Sequence, residues 1–252
     1  MENHQFQKKI FEKYPVKEYK EISDIIILSI IKSILRNRNK EQIFKILDVG
    51  CGGGQLLEQY TKIPKIEVYG VDISEKALKI AHKRDYKTYL CDVENEKLPF
   101  ENTAFDIIVI NDLLEHIIDP DNLLRECHRV LKNEGLLIIC VPNISHIASW
   151  FIQIFLDLPP VQSARYKSVH VRDYTLRMLK VALELNGFKV EYVRGTYVYP
   201  FKNNISRFIA NIFPRLSERL IAICRKDEIP KKTIADIYFD VRELLKSKNK
   251  KL

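Results

Sequence analysis

The apolar positions of this chain gather into short runs, and the stretches between them carry apolar residues with a three-to-four-residue period. Runs at 43–49, 66–71, 86–91, 105–110 and 135–141 read as strands. The stretch Phe44 to Val49 is mostly apolar and reads as a buried strand. An amphipathic helix is predicted over about Lys17 to Arg38, and Gln55-Leu-Leu-Glu-Gln-Tyr60 begins a second helix. Asp119-Pro-Asp-Asn122 opens another with acids at its positive end; Leu123, Leu124, Cys127, Val130 and Leu131 share one face before Gly135 stops it. After residues 144–172, which interrupt the pattern, come a helix over Tyr174 to Asn186 closed by Gly187, a strand at Phe188 to Val193 and a strand at Arg219 to Cys224. Strand and helix alternate, which predicts an α/β fold with a doubly wound seven-stranded sheet.

The first strand leads into Ile46-Leu-Asp-Val-Gly-Cys-Gly-Gly-Gly54, and the second ends in Gly70-Val-Asp-Ile-Ser74. Glycines at alternate positions let the chain turn tightly and let a ligand approach the backbone. A dinucleotide fingerprint needs a glycine where Gln55 stands, which argues against a dehydrogenase. Asp72, about 20 residues beyond the glycines, is placed to accept two hydrogen bonds from a ribose diol. The pattern points to a ribose and not to a pyrophosphate.

Charge changes the picture only after it is divided along the chain. The net charge of the 252 residues is +8, yet residues 46–149 hold eleven basic and seventeen acidic side chains, and residues 150–224 hold eleven and five. An acidic first half suits a cationic cofactor, and the second half could face an anionic partner. The remaining surplus lies at the two ends, including a basic tail at Lys246 to Lys251 read as disordered, which argues against a nucleic-acid enzyme. Five scattered cysteines without a C-x-x-C pair predict a reducing, cytoplasmic setting and no metal. The N-terminus lacks a secretory core, and no run approaches a membrane span. Nothing in the chain sets an oligomeric state.

Beyond the glycine loop and Asp72, the chain carries Cys91-Asp-Val93, Leu98-Pro-Phe100, Phe105-Asp-Ile-Ile-Val-Ile-Asn-Asp112, Leu114-Glu-His116, Leu131-Lys-Asn-Glu-Gly135 and Val141-Pro-Asn143 in order. Over residues 43–225 it resembles the class I S-adenosylmethionine (SAM) dependent methyltransferases, in the branch of small-molecule and ubiquinone-type enzymes. The resemblance implies a Rossmann-like sheet whose last strand is antiparallel, SAM as cofactor and S-adenosylhomocysteine as product. It implies that Gly50, Cys51 and Gly52 pass under the methionine part of SAM, with Gly54 closing the loop, and that Asp48 steadies the loop and the amino group. Asp72 would hold the ribose and Asp92 the adenine amino group, with Ile73 and Val93 packing on the ring and Asn111 near the sulfonium. Asp72→Ala is then expected to remove cofactor affinity and leave the fold intact.

On this reading the chain divides into an N-terminal helical segment (1–42), a SAM-binding domain (43–225) with insertions at 144–172 and 196–217, and a basic C-terminal helix and tail (226–252). Methyl transfer needs mainly in-line positioning, but an oxygen or nitrogen acceptor must also lose a proton, which a histidine can accept. The candidates are His116, His146 and His170. His170-Val-Arg-Asp-Tyr174 matches a stretch of the family, and with Thr175 as the cap of the following helix its neighbourhood reads as structural. The acceptor is expected to be a small or lipid-like molecule methylated at oxygen. An RNA or protein methyltransferase and a catalytically silent SAM-binding subunit are the alternatives; the fourth strand lacks an Asn-Pro-Pro-Tyr amine motif. Acceptor choice should lie in the apolar Ile147 to Leu156, followed by Pro159-Pro160 and Arg165-Tyr-Lys167, and in Ile205 to Phe213. In the second segment Phe208, Ile209, Ile212 and Phe213 share a face beside Arg207, Arg215 and Arg219. That face lines a substrate tunnel, touches an anionic membrane surface or packs on the sheet, the last being the commoner fate of an amphipathic helix.

Overall fold

A computed structural model describes residues 21–156 and 170–230. The first residues of the expected N-terminal helix, the Pro159-Pro160 and Arg165-Tyr-Lys167 part of the insertion and the basic tail lie outside the described residues. The strands are β1 (Phe44–Val49), β2 (Ile66–Asp72), β3 (Lys87–Leu90), β4 (Phe105–Asn111), β5 (Leu131–Pro142), β6 (Phe188–Gly195) and β7 (Arg219–Lys226). They form one sheet in the order β3-β2-β1-β4-β5-β7-β6, parallel except for β7, which runs antiparallel to both of its neighbours. The order reverses between β1 and β4, so the carboxyl ends of these two strands open a crevice where such sheets bind ligands.

The α-helices among the described residues are α1 (Ile22–Arg36), α2 (Glu58–Thr61), α3 (Glu75–His82), α4 (Pro120–Val130), α5 (Ile147–Leu156), α6 (Leu176–Leu185) and α7 (Asn204–Ile212). The sheet is buried on both faces. Leu47 and Val49 of β1, Ile108 and Ile110 of β4 and Leu137 and Ile139 of β5 meet Leu123, Leu124, Leu179 and Leu183 of α4 and α6. Their alternate neighbours Ile46, Ile107, Val109 and Ile138 meet Ile27, Ile30 and Ile31 of α1 on the other side. This two-residue alternation with both sets apolar is why the strands read as continuous apolar runs.

Three local expectations change. Residues 55–57 are turns and α2 is a single turn starting at Glu58, with the Leu57 amide before it donating to Tyr86 Oη (2.8 Å). The helix through Leu123 ends at Val130 rather than running on towards Gly135: Leu131 is already extended and pairs with Phe105, and β5 starts there. Most consequential is α7, which does not pack its large apolar residues on the sheet. It buries Ser206 and Ala210, while Ile205, Phe208, Ile212 and Phe213 are exposed. The Thr175 side chain accepts from the Met178 amide, which caps α6 as expected.

Candidate functional site

The glycine loop takes three left-handed residues, Gly50, Gly52 and Gly54, and their needs differ. A Cβ on Gly50 would press on Leu113, and one on Gly54 would press on Tyr86 and Ala81, so those two glycines serve close packing. A Cβ on Gly52 would meet nothing within 4 Å. The loop is therefore open above Gly52, which is the clearance a ligand lying along the backbone requires. The loop is anchored from beneath, with the Gly50 and Cys51 amides both donating to the Val71 carbonyl (2.9 and 3.1 Å).

Asp72, at the end of β2, uses both carboxylate oxygens to hold this geometry: Oδ2 accepts from the Gly52 amide and Oδ1 from the Ser74 amide, each at 2.8 Å. Burial pushes its carboxyl upward, opposed by backbone hydrogen bonds from Ser74, Gly52 and Ile73. The side chain is thus fixed in direction in a poorly solvated place, where the hydroxyls of a ribose diol could donate to it. Ile73 is half-buried beside it and Val93 is buried. Asp92 is engaged otherwise: Oδ1 accepts from the Glu94 amide (3.2 Å) and Oδ2 from Asn95 Nδ2 (2.8 Å), so it organises its own turn.

Asp48 lies at the floor, 2% exposed, with Tyr86 Oη donating to it at 3.3 Å. Burial, reinforced by the charges of Asp72 and Asp24, raises its carboxyl to about 7. Asp48, Asp72 and Asp24 thus interact as like charges at the crevice, a setting that suits a cationic ligand such as SAM. In the folded chain Asp48 holds a proton that the unfolded chain releases, so its contribution to stability is present at low pH and lost as pH rises from about 4 through about 7. Asp48→Asn should raise the unfolding temperature of the unliganded protein at pH 8 and weaken SAM binding. Wild-type binding near pH 6.5 should release protons, measured by calorimetry in buffers of different ionisation enthalpy.

The opposite wall is the end of β4. Asn111 Nδ2 donates to Asp24 Oδ1 (3.1 Å) on the first turn of α1, and Asn111 Oδ1 is buried without a hydrogen-bond donor among the described residues. The open cradle above Gly52, the fixed Asp72 and this waiting carbonyl together fit SAM. Asp24 escaped the sequence reading because it lies 87 positions before Asn111, outside the glycine-loop motifs. Asp112 next to it has a left-handed backbone (φ 55°), a conformation that costs a non-glycine residue energy. Arg219 of β7 holds it there through a salt bridge to its carboxylate. The same guanidinium reaches Glu21 at the start of α1 (3.0 Å) and Glu218 (3.4 Å).

The histidines part company. His146 is buried and both ring nitrogens meet Ser149, Nε2 with the hydroxyl at 2.7 Å and Nδ1 with the amide at 3.3 Å, so it caps the start of α5. His116 stands in a short 3-10 turn, Leu114–His116, just after β4, with its ring edge-on to that of His170 (centroids 4.7 Å apart). The Val171 and Arg172 amides donate to the Glu115 carbonyl, and this strap brings His170 across. Glu115, His116 and His170 offer ligand atoms all within 4.8 Å of one another, a donor set that can share a proton or hold a divalent ion. His170, read from sequence as part of a structural stretch, is the residue that joins His116. The five cysteines are free and buried, with thiols pushed upward by burial, and act as small core residues.

Comparison with known proteins agrees with this fold. A family described as "Methyltransferase domain" matches residues 47–139. The ubiquinone biosynthesis O-methyltransferase of Coxiella burnetii is 30% identical over 165 residues, covering 63% of this chain and 69% of that enzyme. The enzyme of the same name from Neisseria meningitidis is 30% identical over 105 residues, 39% of this chain and 44% of its own length, so the chain spans less than half of that relative. Among solved structures, the TehB-like SAM-dependent methyltransferase of Corynebacterium glutamicum superposes with a TM-score of 0.52 at 18% identity, covering 90% of this chain and 97% of that one.

Proposed function

We propose that this chain, which belongs to the class I SAM-dependent methyltransferases, transfers a methyl group to a hydroxyl oxygen of a small or lipid-like acceptor. The observation that carries the reading is the cradle open above Gly52 with Asp72 fixed across it by two backbone amides. Bound SAM supplies a methyl group on a sulfonium that is already a good leaving group. The chain's part is to bind and orient: Asp72 takes the ribose hydroxyls, Asp48 and the loop amides hold the amino-acid end, and Asn111 meets the cofactor at the mouth. Ile73 and Val93 flank the adenine.

Positioning supplies most of the rate, and the acceptor oxygen must lose its proton as the bond forms. His116 is the proton acceptor in this proposal, because it stands next to the crevice with His170 and Glu115 close by, whereas His146 is turned into its own helix cap. Support for oxygen comes from the relatives' name. Support for a lipid-like acceptor comes from α5, which leaves the carboxyl end of β5 with Trp150, Phe151, Ile154 and Phe155 exposed. No helix among the described residues is long and apolar enough to cross a membrane, and the buried free thiols support a cytoplasmic setting.

The test is calorimetric titration with SAM against NAD, followed by labelled-methyl transfer to lipid and small-molecule extracts. Binding of SAM without NAD, with S-adenosylhomocysteine formed in step with a labelled product, is expected. NAD binding, or SAM binding without turnover on any extract, sinks the enzyme reading. His116→Ala should retain SAM affinity and lose roughly 100-fold or more in turnover, with the pH-rate profile shifted. Assays with and without chelator separate proton transfer by the cluster from metal binding in it.

A further inference from the structure

We propose that α7 and the basic groove beside its end form a docking face for an anionic phospholipid bilayer. The helix is held to the protein by its small and polar side. Asn203 caps it by accepting from the Ser206 amide (2.8 Å), and Ser206 Oγ exchanges hydrogen bonds with the Val198 amide (2.8 Å) and carbonyl (3.0 Å). Ala210 sits against Gly195, where an added Cβ would lie 2.5 Å from the Ala210 carbonyl. A helix docked so closely through serine, alanine and glycine leaves its bulk outside by construction. Ile205, Phe208, Ile209 and Ile212, spaced i, i+3, i+4 and i+7, form a single outward stripe; the first two are 71% and 66% exposed.

Charge selects the occupant. Immediately after the stripe, Arg215 joins Arg177 and Lys180 in lining a groove of about 360 Å³ whose other walls are Ser145, Thr175 and Leu176. No acid lines it, and none of the three cations is salt-bridged among the described residues. Asn143 fixes this arrangement, its Nδ2 donating to the Arg215 and Ser217 carbonyls (2.9 and 2.7 Å). A stripe of isoleucine and phenylalanine that runs on into a groove of three cations matches the boundary of a bilayer, where acyl chains lie beneath anionic headgroups. A protein partner would have to satisfy the same three cations with acids placed around an apolar centre.

β6 runs in the direction of β5, since both are antiparallel to β7. So α7 leaves the sheet at the edge that carries the cofactor crevice, and docking turns that crevice towards the lipid. This part alone rests on the proposed transferase reading; the docking does not.

The full chain is tested by co-sedimentation with phosphatidylcholine vesicles and with vesicles also containing phosphatidylglycerol. Basic residues near either end of the chain can attract anionic vesicles without α7, so the variants decide. Phe208→Asp should lower partition onto anionic vesicles roughly tenfold or more. Arg215→Ala and Lys180→Ala should each lower it about fivefold, with an effect that fades at high salt. SAM affinity and circular dichroism should not change. Ile205→Asp gives a second reading of the stripe if Phe208→Asp folds poorly. Wild-type binding that Phe208→Asp and Ile205→Asp leave intact overturns the proposal. It is also overturned by absence of vesicle binding, including the case in which a self-association that Phe208→Asp abolishes shows a second copy on the stripe.

Discussion

Arg219→Met is expected to lower folding stability by about 3–5 kcal/mol, the usual cost of removing one partner from a buried charge cluster. Arg219 is the cation that Asp112, Glu21 and Glu218 share, and its side chain is only 16% exposed. With it gone, three carboxylates face one another across the joint between α1, β4 and β7. Glu218 is already pushed upward by burial in the wild type, against the pull of the Arg219 guanidinium, and without that guanidinium it should rise further. A raised carboxyl value makes the variant's stability fall as pH rises through it, so the deficit should be largest above neutrality and shrink towards pH 5. Urea unfolding at pH 5 and pH 8 measures both. An equal deficit at the two values would mean that lost packing, not stranded charge, is the cause. The left-handed Asp112 should relax as well, and Asn111 with it, so SAM affinity should drop even where the variant is folded.

The sheet was legible because every central strand is buried on both faces and therefore reads as an uninterrupted apolar run, and the glycine loop because a left-handed backbone and a ligand's clearance both call for glycine. The residues proposed to hold the cofactor from strand ends, Asp72 and Asn111, were singled out by the same logic. The joint that closes the crevice was not legible. Asp24 and Glu21 sit on a helix whose pattern announces only that it is amphipathic, and their partners Asn111 and Arg219 lie far along the chain. Nor does a helical period say which face is turned inward. For α7 the better signal was the small side, Ser206 and Ala210 with Gly195 to receive them, since close backbone approach needs small residues on both surfaces. The two histidines were equivalent in sequence and differ in the structure because Ser149, one turn into α5, engages the ring of one and His170 approaches the other.

Asp72→Ala should raise the dissociation constant for SAM about 100-fold or more, as two hydrogen bonds from the ribose to a charged group are lost at roughly 1.5–3 kcal/mol each. The expectation that the fold survives untouched needs revision, because the same carboxylate accepts the Gly52 and Ser74 amides. Leaving those donors unmet costs about 1–3 kcal/mol, and Gly52, left-handed with open space above it, has little else to hold it. The Ala variant should therefore lose both affinity and some stability. Asp72→Asn separates the two effects. Its amide keeps one acceptor oxygen, so it can hold either Gly52 or Ser74 but not both, and it no longer offers the ribose a charge. Its thermal unfolding should fall between wild type and Ala while its affinity for SAM stays close to that of Ala. Asp92→Ala is the internal control: its carboxylate serves the Glu94 amide and Asn95 of its own turn, so its affinity loss should be smaller. Titration of the three variants with SAM, each beside its unliganded melting curve, decides the matter. If Asp72→Ala binds SAM as wild type does, the ribose lies elsewhere and the carboxylate's work ends at the two amides.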